Sequence, residues 1–468
     1  MNTSISITPA PRATGYGERL WLRLSEVSSN NALIVCRLQG EIDPQRMAEA
    51  LHLTAAAHPM LRASVSYRGR QPEFVFSPLP AMPWRVVHRL SEQHWEVVVR
   101  QELEDGISPN EPALWRATLV HGFDHSELII ACNHAITDAL SLQIICDQTL
   151  GLYSGKLPRP RARPFSSSYE SLLASSGPLR VIASGLWSLA GQALKPAPPS
   201  FRTPVNPGYT PGDRLTTDFR LLELDAHRSR VLMAAARARK QSLHGVIAAI
   251  SLLAARGALS DQDQGPRSMS LGTAVNARSK LTRSLDREVG YFVSGVESRL
   301  SVTAETDFWS LVDQANRDVQ SRYTADNLAF GIMLKRLALR LRRRPDSLVG
   351  SAARIARTNL HLTNLGRLML SPRYGSVVVK SACVIPSAHF LPIPVVCLET
   401  HLFNDKLHFG FVYPKPITDP EFVDALYVGV ERQVNRLVAQ TSSTPDPRPG
   451  ARVPETKEPV HAHTELHT

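Results

Sequence analysis

His134 and Asp138 stand four positions apart in Ala131-Cys132-Asn133-His134-Ala135-Ile136-Thr137-Asp138-Ala139-Leu140-Ser141. An imidazole can take a proton from an attacking hydroxyl or amine near neutral pH. A carboxylate at this spacing can anchor the same loop by pairing with a cation elsewhere in the chain. The pattern alone is common, and it fits equally a histidine that caps or packs beside a strand. Cys132 could be read as a nucleophile. Side chains two apart on a strand share a face, and the simpler reading is a small buried strand residue.

The residues around the pair read as elements able to position it. Residues 127–132 form a short apolar run with the length and β-branched content of a buried strand, and His134 falls just beyond its end. A strand end holds the backbone rigid while the side chain projects into a cleft. Upstream, residues 112–120 read as a second strand, paired with the first across the polar turn 122–126.

At 468 residues the chain is too long for one typical core and suits two domains sharing a cleft. Residues 17–155 mix strands and helices and carry the His134 loop, and residues 214–440 form the second domain. Between them, 156–213 is a basic, proline-rich linker. Within it, Leu179, Val181, Ile182, Leu186, Trp187, Leu189, Ala190 and Leu194 make a helical stripe. A helix is expected near 242–253 and a hairpin at 402–409. Residues 1–16 read as flexible and 441–468 as a disordered tail.

Several chemistries lack their marks. The five cysteines are scattered, without Cys-x-x-Cys or a His/Cys ligand cluster, so neither a disulfide framework nor a metal site is expected. No Gly-x-Ser-x-Gly, Gly-x-Gly-x-x-Gly or His-Glu-x-x-His occurs. Residues 151–156 approximate a phosphate loop one residue too short and read better as a turn after a helix. The N-terminus lacks an export signal and no apolar run is long enough to span a bilayer, so a soluble cytoplasmic protein is expected. The net charge of +11 is concentrated in places such as residues 335–344, which alternate apolar and basic positions. That run fits a solvated helix face, or an approach surface for a phosphate-bearing or acidic donor. The 179–194 stripe with its basic flanks also suits a membrane surface. Nucleic acid fits less well, because no binding motif or aromatic platform accompanies the charge.

The His134 region, with its Pro112-Ala113-Leu114-Trp115 approach, resembles the His-His-x-x-x-Asp-Gly region of the condensation-domain and CoA-dependent acyltransferase superfamily. The nearest branches are the polyketide-associated acyltransferases and bacterial wax-ester synthases. Further matches follow in the family's order. Gly40-Glu41-Ile42-Asp43 leads to His58-Pro59-Met60-Leu61-Arg62. Downstream come Asn276-Ala277-Arg278, Val289-Gly290-Tyr291-Phe292-Val293-Ser294 and Thr363-Asn364-Leu365-Gly366. Asn133 replaces the family's first histidine and Ala139 its glycine, so the loop must follow a backbone path open to a residue with a Cβ.

The resemblance implies an α/β (α+β) fold of two chloramphenicol-acetyltransferase-like sandwich domains with the active site at their interface. It implies His134 as general base, Asp138 and Arg278 as a structural ion pair, and Asn133, Asn276 and Asn364 in support. The implied reaction moves an acyl group from acyl-CoA or an acyl carrier protein to a hydroxyl, less readily an amine, on a small-molecule or lipid alcohol acceptor, without cofactor or metal. It would belong to lipid or polyketide metabolism. A catalytically silent module that docks a carrier protein is the alternative.

Overall fold

The apolar runs 31–39 and 125–133 are buried along nearly their whole length, as strands covered on both faces must be. They pair antiparallel at the centre of a six-stranded sheet, Leu33 opposite Ala131 and Val35 opposite Ile129. The structure, a computed structural model, describes residues 9–67, 71–78, 81–158, 167–193, 201–259, 267–285, 287–303, 305–341, 344–355 and 360–442.

The first sheet runs Arg373–Tyr374, Val377–Pro386, Asn31–Gln39, His125–Asn133, Trp115–His121, Trp84–His88. The second runs Val293–Val302, Arg267–Asn276, Leu360–Arg367, Val396–Phe403, Lys406–Lys415, Thr216–Glu223. A small third sheet joins Arg12–Ala13, Glu73–Phe76 and Ala63–Ser66. Helices Pro44–Ala57 and Ala139–Tyr153 cover one face of the first sheet, burying Met47, Leu51, Leu142 and Ile145. Helices Leu243–Gly257, Phe308–Arg322 and Pro420–Ser442 cover the second. The other face of the first sheet meets Phe219 and Val412 of the second through Leu33, Val35, Ile129 and Ile385. The fold is mixed α/β with two lobes.

Local chemistry explains the boundaries. Ser242 caps Leu243–Gly257 by accepting from Gly245 N. The 402–409 hairpin turns through Asn404 and Asp405, both left-handed at φ 49° and 58°, as a two-residue type I′ connection requires. Residues 151–153 close helix Ala139–Tyr153 and Gly155 turns the chain at φ +73°.

The chain boundaries expected above need correcting in three places. Residues 12–16 are not a flexible lead: Arg12–Ala13 pairs with Glu73 and Phe74, and helix Tyr16–Leu24 follows. The segment 156–213 does carry a helix at the expected stripe, Pro178–Ala193, with Leu194 outside the described residues, but it is more than a linker, since Tyr169 is buried. Strands Arg373–Tyr374 and Val377–Pro386, though within 214–440, extend the first sheet. Val377–Pro386 offers Val377, Val379, Ala382 and Val384 to the first lobe's core, alongside Asn31–Gln39. Helix Pro420–Ser442 ends the described chain, and the tail from 443 onward lies outside the described residues.

Candidate active site

Strand His125–Asn133 ends on Asn133, whose buried amide does local work. Its Oδ1 accepts from Ala135 N at 3.0 Å, and its Nδ2 donates to Ser25 Oγ at 2.8 Å and Ile107 O at 2.9 Å. These bonds cap the short 3₁₀ turn His134–Ile136, and the turn swings the next side chain, His134, out of the sheet. Nδ1 of His134 lies 3.0 Å from Thr137 O. A carbonyl only accepts, so Nδ1 carries the hydrogen and Nε2 of the neutral ring keeps its lone pair.

Aromatic rings hold the imidazole from two sides. Trp21, on helix Tyr16–Leu24, stacks on it at 4.5 Å and 8°, and Tyr291 meets it edge-on at 5.8 Å and 76°. Burial pushes the His134 pKa down; hydrogen bonds and the Asp138 charge oppose this, and the Lys335 ammonium adds to the lowering. The neutral form is therefore favoured further into acid than for a free imidazole.

Asp138 points away from His134, into the other lobe. Arg278 Nη1 donates to its Oδ2 at 2.7 Å and Nη2 to its Oδ1 at 3.3 Å. Phe292 N adds 3.0 Å to Oδ2, and Ser141 N adds 2.8 Å to Oδ1 as Asp138 caps helix Ala139–Tyr153. Arg278 also donates to Ser141 Oγ at 3.0 Å and Glu288 O at 3.3 Å. Its guanidinium carbon lies 4.5 Å from the centre of the Phe292 ring. A buried carboxylate needs such partners, and here most come from the opposite lobe. Ala139 is the first residue of a right-handed helix, so the position makes no demand for glycine.

Asn276 caps the 3₁₀ turn Ala277–Lys280, accepting from Arg278 N at 3.1 Å, and so sets the arginine's backbone. Asn364 stands apart: its Oδ1 accepts from Gly366 N at 3.0 Å within its own strand, outside the hydrogen bonds around His134. Cys132 is fully buried and burial pushes its thiol well up, which leaves no thiolate for attack.

Four residues of the site escape a reading of the motif alone. Trp21, Tyr291 and Lys335 surround His134, directly or at one remove, and Ser141 joins Asp138 to Gly290, donating to its carbonyl at 2.9 Å. Lys335 Nζ lies 5.8 Å from the centre of the Tyr291 ring. Burial works against its charge, but Tyr291, Tyr169 and Glu170 outweigh that and hold it protonated. Lys335→Met should therefore raise the His134 pKa, because an apolar side chain of similar length removes the like charge and keeps the site dry. A pH titration of the His134 imidazole resonances reads this directly, and an unmoved or lowered value would exclude Lys335 as the cause.

The condensation-domain family model matches residues 22–353. The chain belongs to the condensation-domain family. It is 24% identical over 362 residues to tyrocidine synthase 2 of Brevibacillus parabrevis, covering 74% of this chain and 9% of that protein. The chain spans less than a tenth of the length of the first curated relatives it matches, at 3% and 9%. Among solved structures, it shares the fold of the epimerization domain from the third module of tyrocidine synthetase B, TycB3(E). That likeness has a TM-score of 0.68 at 12% identity, covering 94% of this chain and 99% of that one. The trichothecene 15-O-acetyltransferase TRI3 of Fusarium sporotrichioides gives 0.67 at 12%, covering 92% and 95%. It is also 22% identical over 432 residues to the nonribosomal peptide synthetase kk1B of Curvularia clavata, covering 88% of this chain and 3% of that protein. In this condensation-family chain the Asp138–Arg278 pair ties the two lobes together directly beside His134.

Proposed function

We propose that this protein is an acyltransferase that moves an acyl group from a thioester donor to a hydroxyl acceptor, with His134 as general base. The observation that carries this reading is the neutral, half-buried imidazole whose Nδ1 is engaged by Thr137 O, leaving Nε2 to receive a proton. The acceptor oxygen attacks the thioester carbonyl carbon while its proton passes to Nε2. Collapse of the tetrahedral intermediate breaks the C–S bond, and the imidazolium returns the proton to the leaving thiolate. The thioester supplies the activation, so the balance closes without a further reactant. Membership of the condensation family favours a donor carried on the pantetheine arm of a carrier protein; acyl-CoA offers the same bond.

An amine acceptor is the second reading, favoured because one curated relative, kk1B, is a nonribosomal peptide synthetase. The test is to incubate the full chain with an acyl-loaded carrier protein or acyl-CoA and a panel of alcohols and amines, and to weigh the products. Ester formation supports the first reading and amide alone the second. Stoichiometric binding of the loaded carrier without product would reduce the protein to a docking module. Because burial lowers the His134 pKa, the base form persists below the ordinary imidazole value of about 6.5. The acid limb of kcat/KM should therefore have its midpoint below that value, and a midpoint above it would contradict His134 as the base.

A further inference from the structure

Helix Pro178–Ala193 is inside out. The face it turns to the protein is Val181, Ser184, Gly185 and Ser188, and the face it turns to solvent carries Leu179, Ile182, Leu186, Trp187 and Leu189. Leu179 and Trp187 are each 83% exposed. A surface helix ordinarily buries its large apolar side chains.

The orientation is fixed by packing on helix Ala325–Leu341. The Phe330 ring fills the space beside Gly185, where a Cβ would come within 2.1 Å of it. Ser184 Oγ donates to Asn327 Oδ1 at 2.9 Å, and Arg322 Nη1 donates to Ser188 Oγ at 2.7 Å. The partner helix adds its own exposed row, Leu334, Leu337 and Leu341. Together the two helices expose more apolar side chain than the scattered singles of an ordinary surface.

The exposed charges on these helices are all positive. Arg180, Arg336 and Arg340 are exposed among the leucines, and Arg344 follows just beyond. The only carboxylate on either helix, Asp326, accepts from Ser176 N at 2.7 Å. A second copy is a poor occupant, because a two-fold interface would set these arginines against their own images. Exposed leucines, a tryptophan able to sit at the headgroup level, and arginines that outnumber the acids beside them match an anionic bilayer surface. No helix among the described residues is long and apolar enough to cross a membrane, so the contact is peripheral.

We propose that the outward faces of helices Pro178–Ala193 and Ala325–Leu341 dock this protein on an anionic membrane surface. The contact stands independently of the acyl-transfer reading. Its consequence for the site is spatial: on Ala325–Leu341 the docked leucines and Lys335, which packs on Tyr291 beside His134, share one helix about 10 Å across.

The test is flotation of the full chain with vesicles of phosphatidylcholine, alone or mixed with phosphatidylglycerol. Wild type should float with the mixed vesicles and far less with phosphatidylcholine alone, and added salt should weaken the difference. Leu179→Ser/Leu186→Ser/Trp187→Ser removes only exposed side chains, so its thermal midpoint should match wild type while its partitioning falls at least roughly tenfold. Arg336→Glu/Arg340→Glu should abolish the preference for the anionic lipid. The proposal is overturned if wild type stays with the supernatant, or if the serine variant floats equally well. It is also overturned if wild type elutes as a dimer that the serine variant dissociates, or if the serine variant loses binding to an acidic carrier protein while wild type ignores both vesicles.

Discussion

Acyl transfer by His134→Ala is expected to fall roughly 10²- to 10⁴-fold, the usual loss when a positioned base is removed. Expression and thermal midpoint should change little by comparison, because the turn that carries His134 is held by Asn133 and not by the imidazole. His134→Gln sharpens the result: an amide can fill the gap between Trp21 and Tyr291 and still donate to Thr137 O, but it cannot accept a proton at working pH. Both variants should be equally inactive. Full turnover in His134→Ala would remove the base from the mechanism, and activity in His134→Gln alone would make the imidazole a spacer.

The largest stability effect is expected at Arg278. Its side chain is about a tenth exposed and that of Asp138 about a twentieth, at 10% and 5%. Arg278→Ala strands a buried carboxylate, which typically costs about 3–5 kcal/mol when one partner of a buried pair is removed. Phe292 N and Ser141 N still bond Asp138, so the lower end, about 3 kcal/mol, is expected. Urea denaturation should show the midpoint shift, and activity should fall with it, because Asp138 caps the helix that follows His134. Arg278→Lys should recover only part, since an ammonium cannot reproduce the two-pronged contact. Arg278→Leu/Asp138→Asn should be more stable than Arg278→Ala, because the stranded charge is gone. If all three variants unfold alike with wild type, the pair contributes nothing to holding the lobes.

The placement of His134 was legible because it depends on local pattern: a β-branched apolar run, a hairpin partner upstream and a polar break. Arg278 was legible only through the family motif that contains it. Trp21 was not, because an amphipathic helix at the N-terminus gives no sign of which ring it will lay on a residue 113 positions later. Lys335 misled for a different reason. It opens a basic run that resembles a solvated face, and Arg336 beside it is indeed exposed. Adjacent helix positions lie about 100° apart, so one turns inward to Tyr291 and its neighbour does not. Of the run's other arginines, Arg342 and Arg343 lie outside the described residues and Arg340 and Arg344 are exposed. Asn364 shows the reverse error: a motif residue whose partner is its own turn. The two-lobe layout followed from length and the linker's composition, but no local signal marks a strand that leaves one half of the chain to join the sheet of the other.

That exchanged strand has a consequence during synthesis. Asn31–Gln39 needs Val377–Pro386 as its outer neighbour, with Ala32 opposite Pro386, a separation of about 350 residues. At roughly 5–20 residues per second on the ribosome, the roughly 250 residues between Asn133 and Pro386 leave that edge unpaired for on the order of 13–50 s after the sheet's other long strands have emerged. An apolar strand with free N–H and C=O groups is a template for wrong pairing. Newly made chains should therefore depend on a chaperone that covers apolar strands during synthesis, and truncation before residue 377 should yield aggregates in place of a folded N-terminal half.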